Sequence, residues 1–107
     1  MFFNANDGSP NLQCVAGFYL HPGHDGNRVK NILMDVALTS PFLKLENPVK
    51  VVAKEETQGT FYRIRAYPVY PADQFEFITD LTLRGKSALL DAGVEFAFIP
   101  FKTDRTA

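Results

Sequence analysis

The stretch Val49–Val69, VKVVAKEETQGTFYRIRAYPV, decides the fold. Val49 to Lys54 alternates, with Val49, Val51 and Ala53 on one face, and reads as a strand. Gln58-Gly59 supplies the turn. Thr60 to Val69 reads as the next strand: Tyr62, Ile64 and Ala66 point one way, while Phe61, Arg63, Arg65 and Tyr67 point the other. Pro68 has no N–H to give to a ladder, so this strand ends at an edge or a bulge.

Helical patterns lie on both sides of this pair of strands. Upstream, His24-Asp25-Gly26-Asn27 opens a helix with Asp25 as N-cap, its carboxylate accepting an orphan backbone N–H. Val29, Ile32, Leu33 and Val36 share one face, and Ser40-Pro41 stops the helix near Thr39. Ahead of it, Gln13–His21 (QCVAGFYLH) reads as the first strand and meets the turn Pro22-Gly23. Downstream, Asp73-Gln74-Phe75-Glu76 has capping-box spacing and begins the second helix. Its buried stripe is Ile78, Leu81, Gly85, Ala88, Leu89 and Ala92. A glycine inside a helix costs ~1 kcal/mol relative to alanine, so Gly85 marks a close approach to the sheet. Gly93 ends the helix as its C′ residue. Val94–Ile99 is the last strand, with Val94, Phe96 and Phe98 inward. The order β-α-β-β-α-β predicts an α+β, ferredoxin-like domain: a four-stranded antiparallel sheet with two helices on one face. Residues 13–101 form the domain, 1–12 a turn-rich incoming linker, and 102–107 a tail.

Composition narrows the function classes. A length of 107 residues permits one modest core, and 14 aromatic residues argue against disorder. A net charge of −1 gives no overall attraction to nucleic acid or to an anionic membrane. The single cysteine, Cys14, excludes an internal disulfide and a cysteine-based zinc site. No apolar run approaches the ~20 residues that span a bilayer, and no secretory signal is present.

Few residues point to chemistry. His21, His24 and Asp25 fall within five residues, but Pro22-Gly23 makes a turn between the imidazoles and Asp25 serves as a cap. A polar turn with dispensable histidines is expected there, with no metal and no other cofactor. Cys14 sits mid-strand among apolar neighbours and reads as structural. Lys50, Lys54, Phe61, Arg63, Arg65 and Tyr67 share the sheet face away from the helices. Basic and aromatic residues mixed on such a sheet are the chemistry of a single-stranded RNA platform. However, the segment Gln58–Arg63 lacks the basic-Gly-aromatic-Gly-aromatic pattern of that platform, so no nucleic-acid partner is expected. No carboxylate pair and no phosphate loop stand out, and the chain does not read as an enzyme.

The helices carry a different signal. Met34 and Leu38 lie ~140° and ~180° round the first helix from Val29. Leu83 and Leu90 are ~120–140° off the buried face of the second. Aligned apolar pairs on two outer faces predict that a neighbouring subunit or domain packs there. Met34, Leu38, Leu83 and Leu90 are the candidate contact residues.

Phe77–Pro100, FITDLTLRGKSALLDAGVEFAFIP, resembles the end of the cytoplasmic C-terminal domain of the small-conductance mechanosensitive channel family. Asp80-Leu81, Arg84-Gly85-Lys86 and Ala92-Gly93-Val94-Glu95-Phe96 carry the match. Asn4 with Ser9-Pro10-Asn11 is similar to the exit from that family's middle β-domain. Gly17–Leu33 and the strands Pro48–Val51 and Phe61–Tyr67 fit the segments that follow. Ala97 and Ile99 stand where the family has prolines, and the glutamine expected after Pro100 is absent. The resemblance implies a vestibule domain on the cytoplasmic side of the inner membrane. Such domains join with other copies of the same protein, usually seven, in a cage below the pore. Membrane contact would come only through segments N-terminal to this chain, and the domain would not conduct by itself. The alternative, from the sheet face, is a free-standing ferredoxin-like single-stranded RNA-binding module.

Overall fold

In the computed structural model, residues 12–97 are described. They form β1 (Cys14–Leu20), α1 (Gly26–Leu38), β2 (Lys50–Glu56), β3 (Gly59–Ala66), a 3-10 turn (Pro71–Asp73) and α2 (Gln74–Asp91). β3 is central, pairing antiparallel with β1 on one side and β2 on the other. In this register Val51 lies opposite Ile64 and Ala53 opposite Tyr62, while Ala16 lies opposite Ile64 and Phe18 opposite Tyr62. Opposed residues share a face, so the alternation read from the sequence places one apolar layer beneath the helices. Cys14, Ala16, Phe18, Leu20, Tyr62, Ile64 and Ala66 are all buried there. Val29, Leu33, Val36 and Ala37 from α1 meet them, with Phe77, Leu81 and Leu89 from α2.

Among the described residues the sheet has three strands, and of the expected fourth one antiparallel bridge is present there, Leu20–Phe96. The His21 amide donates to the Glu95 carbonyl at 2.8 Å, and the Ala97 amide to the Tyr19 carbonyl at 2.9 Å. Val94 is buried, Phe96 is half-buried against the core, and Phe98 and Ile99 lie outside the described residues. So do the expected linker up to residue 11 and the tail.

Several boundaries differ from expectation for local reasons. β3 stops at Ala66, and the chain then pairs with the segment after α1 through a Leu43–Pro68 bridge. The hydrogen bonds there run from the Lys44 amide to the Tyr67 carbonyl and from the Val69 amide to the Phe42 carbonyl, so the bridge does without a proline N–H. Asp25 caps α1 as expected, its carboxylate accepting from the Asn27 amide at 3.0 Å. Asp73 does not repeat this: it makes no side-chain cap, because the Pro71–Asp73 turn already leads into α2. Phe77, absent from the expected stripe, is fully buried and tilts against Phe42 at 6.5 Å between ring centres. Gly93 adopts φ 81°, the left-handed conformation of a C′ glycine.

Gly85 sits where α2 crosses β1. A Cβ there would lie 2.5 Å from the end of the Phe18 ring, and Phe18 is itself buried. Gly85→Ala gains ~1 kcal/mol of helix propensity but meets an overpacking cost of ~1–3 kcal/mol. The expected outcome is a net loss of stability, read as a lower urea midpoint at unchanged m-value. A higher midpoint would mean that Phe18 has room to move.

Candidate functional site

Cys14 is buried at the start of β1, its Sγ 3.8 Å from the Leu12 carbonyl and 4.0 Å from the Gln74 carbonyl. Burial pushes its thiol up to about 11. A nucleophile needs the thiolate near neutrality, so this cysteine is structural, as its neighbours in sequence indicated.

The histidine turn is organised more tightly than expected. His21 is exposed, but His24 reaches the Tyr62 hydroxyl through Nε2 at 2.8 Å and the His21 carbonyl through Nδ1 at 2.6 Å. A carbonyl can only accept, so in the neutral imidazole Nδ1 carries the proton and the Tyr62 hydroxyl donates to Nε2. Tyr62 belongs to the core face of β3. Burial raises its pKa first, with the Glu55 and Asp25 carboxylates adding to the rise. His24 thus ties the entrance of α1 to the central strand and is not a dispensable turn residue. Spacing alone gave no sign of this, because the partner lies 38 residues away.

The open sheet face holds the expected Lys50, Lys54, Phe61, Arg63 and Arg65, whereas Tyr67 lies beyond the end of β3, where its carbonyl accepts from the Lys44 amide. Lys50 lies opposite Arg65, Val52 opposite Arg63, and Lys54 opposite Phe61. On the other side Val15, Gly17 and Tyr19 face Arg65, Arg63 and Phe61. The Phe61 ring covers Gly17, where a Cβ would approach it to 2.7 Å. The Nε atoms of Arg63 and Arg65 are both shielded from water and have no hydrogen-bond partner among the described residues. Only the Lys54–Glu56 pair at 3.8 Å offsets the charge of this face as an ion pair among the described residues, and it is solvent-exposed.

A polar clamp joins the two helices. Arg84 Nη1 donates to the Val36 carbonyl at 2.9 Å and to Asp80 Oδ2 at 3.2 Å, and Nη2 donates to the Thr39 hydroxyl. The buried Ser40 donates to the same Asp80 oxygen at 2.8 Å. Thr39 Oγ1 in turn donates to the Asp35 carbonyl at 2.8 Å. A guanidinium on the Val36 carbonyl satisfies an acceptor that the end of α1 leaves open and sits at the negative end of its dipole. Asp80 and Arg84 therefore have a structural task that the sequence pattern did not disclose.

The outer helix faces stand nearly as expected. Leu38, Leu83 and Leu90 are exposed, at 51%, 61% and 53%, while Met34 is half-buried. Leu90 also lines a shallow groove of about 670 Å³ with Lys86, Gly93, Val94, Glu95 and Phe96. Among the described residues no group of three or more His, Cys, Asp or Glu side chains is placed to hold a metal. Nor is any helix long and apolar enough to cross a membrane.

No family model matches this chain, and no curated protein matches it in sequence. Among solved structures, the crystal structure of Helicobacter pylori MscS in its closed state is similar to it, with a TM-score of 0.77 at 17% sequence identity. The match covers 95% of this chain and 41% of that one. At this identity the likeness establishes the fold, and the chain spans less than half the length of its structural neighbour.

Two outcomes test these assignments. Arg84→Ala removes charge-assisted hydrogen bonds worth ~1.5–3 kcal/mol, and a partly exposed guanidinium sits at the low end of that range. Arg84→Lys recovers only part of the loss, because an ammonium cannot reproduce the fork that meets Val36, Thr39 and Asp80 together. Chemical denaturation of the two variants measures both. For Cys14, the folded state holds its proton up to about pH 11, while the unfolded thiol titrates near 9. Between those values the folded chain binds more protons than the unfolded one, so stability falls as pH rises. Cys14→Ala is expected to remove that part of the alkaline slope, measured as the difference between the two stability–pH curves.

Proposed function

We propose that this chain is the cytoplasmic vestibule domain of a membrane protein like the small-conductance mechanosensitive channels. The observation that supports this reading most strongly is the structural likeness to MscS over nearly the whole chain. The sequence resemblance from Phe77 to Pro100 leads to the same family by a separate route. In this reading residues 13–101 are one domain, and Val94–Ile99 completes a four-stranded ferredoxin-like sheet along β1. The incoming linker descends from a preceding β-domain, and membrane attachment lies N-terminal to that. The domain is non-enzymatic and does not conduct by itself. It forms part of the wall of a cage of identical subunits, seven by the family resemblance, on the cytoplasmic side of the inner membrane.

The contacts that build the cage are assigned to Met34, Leu38, Leu83 and Leu90. Each leucine covered on assembly contributes ~1.5–3 kcal/mol. In the full-length protein the membrane segments hold the copies together and raise their effective concentration. The isolated chain lacks that tether and is expected to be monomeric or weakly self-associating in dilute solution.

Leu83→Glu and Leu90→Glu test the assignment in two settings. In the isolated chain both side chains are exposed, so both variants should fold with nearly unchanged melting temperature. In the full-length protein the same changes should impair assembly and channel activity. Unfolding of the isolated variants would make these leucines ordinary core, and intact full-length channels would remove them from the interface. The RNA-binding alternative rests on the open sheet face with Arg63, Arg65 and Phe61. An anisotropy titration with single-stranded RNA is expected to show no saturable binding. Salt-sensitive binding abolished by Arg63→Glu would favour that alternative instead.

A further inference from the structure

On one side the sheet ends at β2, which pairs with β3 and with no other strand among the described residues. The phase of the ladder decides which of its backbone groups are left over. The Tyr19 carbonyl and the His21 amide point away from β3, toward Ala97 and Glu95. Alternate residues direct their backbone groups to opposite edges, so Leu20 faces β3 and its partner Thr60 faces β1. By the same alternation Phe61, Arg63 and Arg65 face β2, and their partners Lys54, Val52 and Lys50 face back. Val51, Ala53 and Glu55 therefore turn both N–H and C=O outward. Ala53 is exposed and Val51 half-buried. A groove of about 330 Å³ opens beside this edge, lined by Lys30 of α1 with Val51, Ala53 and Tyr62.

An open edge is a template for another strand unless its charges forbid the pairing. The charges of β2, KVVAKEE, suit one strand in particular: β2 of a second copy, run antiparallel. With Ala53 opposite Ala53, the outward backbone groups of Val51, Ala53 and Glu55 meet those of Glu55, Ala53 and Val51. Lys50 then lies opposite the second copy's Glu56, once at each end of the contact, and Val52 lies opposite Lys54. A slip of two residues sets Lys50 against Lys54 in one direction and Lys54 against Lys54 in the other. A slip of one sets outward groups against groups already bonded to β3. In the favoured register Glu56, 3.8 Å from its own Lys54, gains a second cation. Lys50 has no ion pair among the described residues. On the helix side the second copy's Glu55 comes opposite Val51, beside the groove that Lys30 lines.

We propose that β2 is a self-association edge, two copies joining β2 to β2 antiparallel about Ala53 so that their sheets become one. A twofold contact between like edges is complete with two copies. It is separate from the contacts assigned to Met34, Leu38, Leu83 and Leu90 and does not rest on the channel reading. A strand-to-strand contact of seven residues is small beside the ~1,200–2,000 Å² of stable interfaces. The dimer therefore forms at high concentration and dissociates on dilution.

The test is sedimentation equilibrium of the 107-residue chain up to millimolar concentration, with isotope-filtered NMR on mixed labelled and unlabelled chains. A monomer–dimer equilibrium is expected, with intermolecular cross-peaks between Val52 and Lys54. Lys50→Glu should weaken dimerisation about tenfold, since the twofold axis turns two attractive pairs repulsive at once. Glu56→Lys should do the same, and the two changes together should restore the dimer. Both positions are exposed, so the folded monomer tolerates each change. A chain that stays monomeric throughout overturns the proposal, as does a dimer that neither single change weakens. Loss in both single variants without recovery in the double one rejects the register and the proposal with it. A dimer abolished by Leu83→Glu with Leu90→Glu but untouched by Lys50→Glu uses the outer helix faces, which equally overturns it.

Discussion

The contact between Phe18 and Gly85 governs how the rest of the domain is arranged. Phe18 rises from the edge strand beneath α2, and the missing Cβ lets the helix backbone settle on the ring. With that crossing fixed, the roles of the other α2 residues follow from the helical repeat of about 100° per residue. Leu81 and Gly85, four apart, face the sheet. Asp80 and Arg84, each one residue earlier, turn toward α1, where Arg84 reaches Val36 and Thr39. Leu83 and Leu90 turn away from both. A bulkier residue at position 85 would lift the helix and loosen the clamp together with the core.

The charge distribution follows a similar logic. The sheet buries one face so thoroughly that its ionisable groups collect on the other, where Lys50, Lys54, Arg63 and Arg65 lie in register. Their arrangement is a consequence of strand alternation, and by itself it selects no ligand. The Nε atoms of Arg63 and Arg65 are shielded from water without a partner among the described residues, so this face is packed as well as charged.

The amino-acid sequence by itself determined the order β1, α1, β2, β3, α2 and the side of β3 that is buried, while the expected last strand appears among the described residues only as the Leu20–Phe96 bridge. Alternation in Val49–Val69, the apolar run Gln13–His21 before its Pro22-Gly23 turn, the α1 stripe from Val29 to Val36, the Asp25 cap and the Gly93 terminator are local signals, each read within a few residues. The outward positions of Leu38, Leu83 and Leu90 followed from the same periodicity. The close approach at Gly85 was legible because a glycine inside a helix costs stability unless space is needed.

Only the tertiary structure decided the groups whose partners are remote in sequence. His24 finds Tyr62, Arg84 finds Val36 and Thr39, and Ser40 finds Asp80, at separations of 38 to 48 residues that no periodicity encodes. Asp73 carried the residue types of a capping box, yet the 3-10 turn before it settled the helix entrance without its side chain. Phe77 fell outside the expected stripe and still became core, because the segment after α1 brings Phe42 across it. Short-range signals fix where an element starts and which way it faces. The pairing of distant polar groups waits until hydrophobic packing has brought the elements together, because a buried donor or acceptor must then find whatever partner lies within reach.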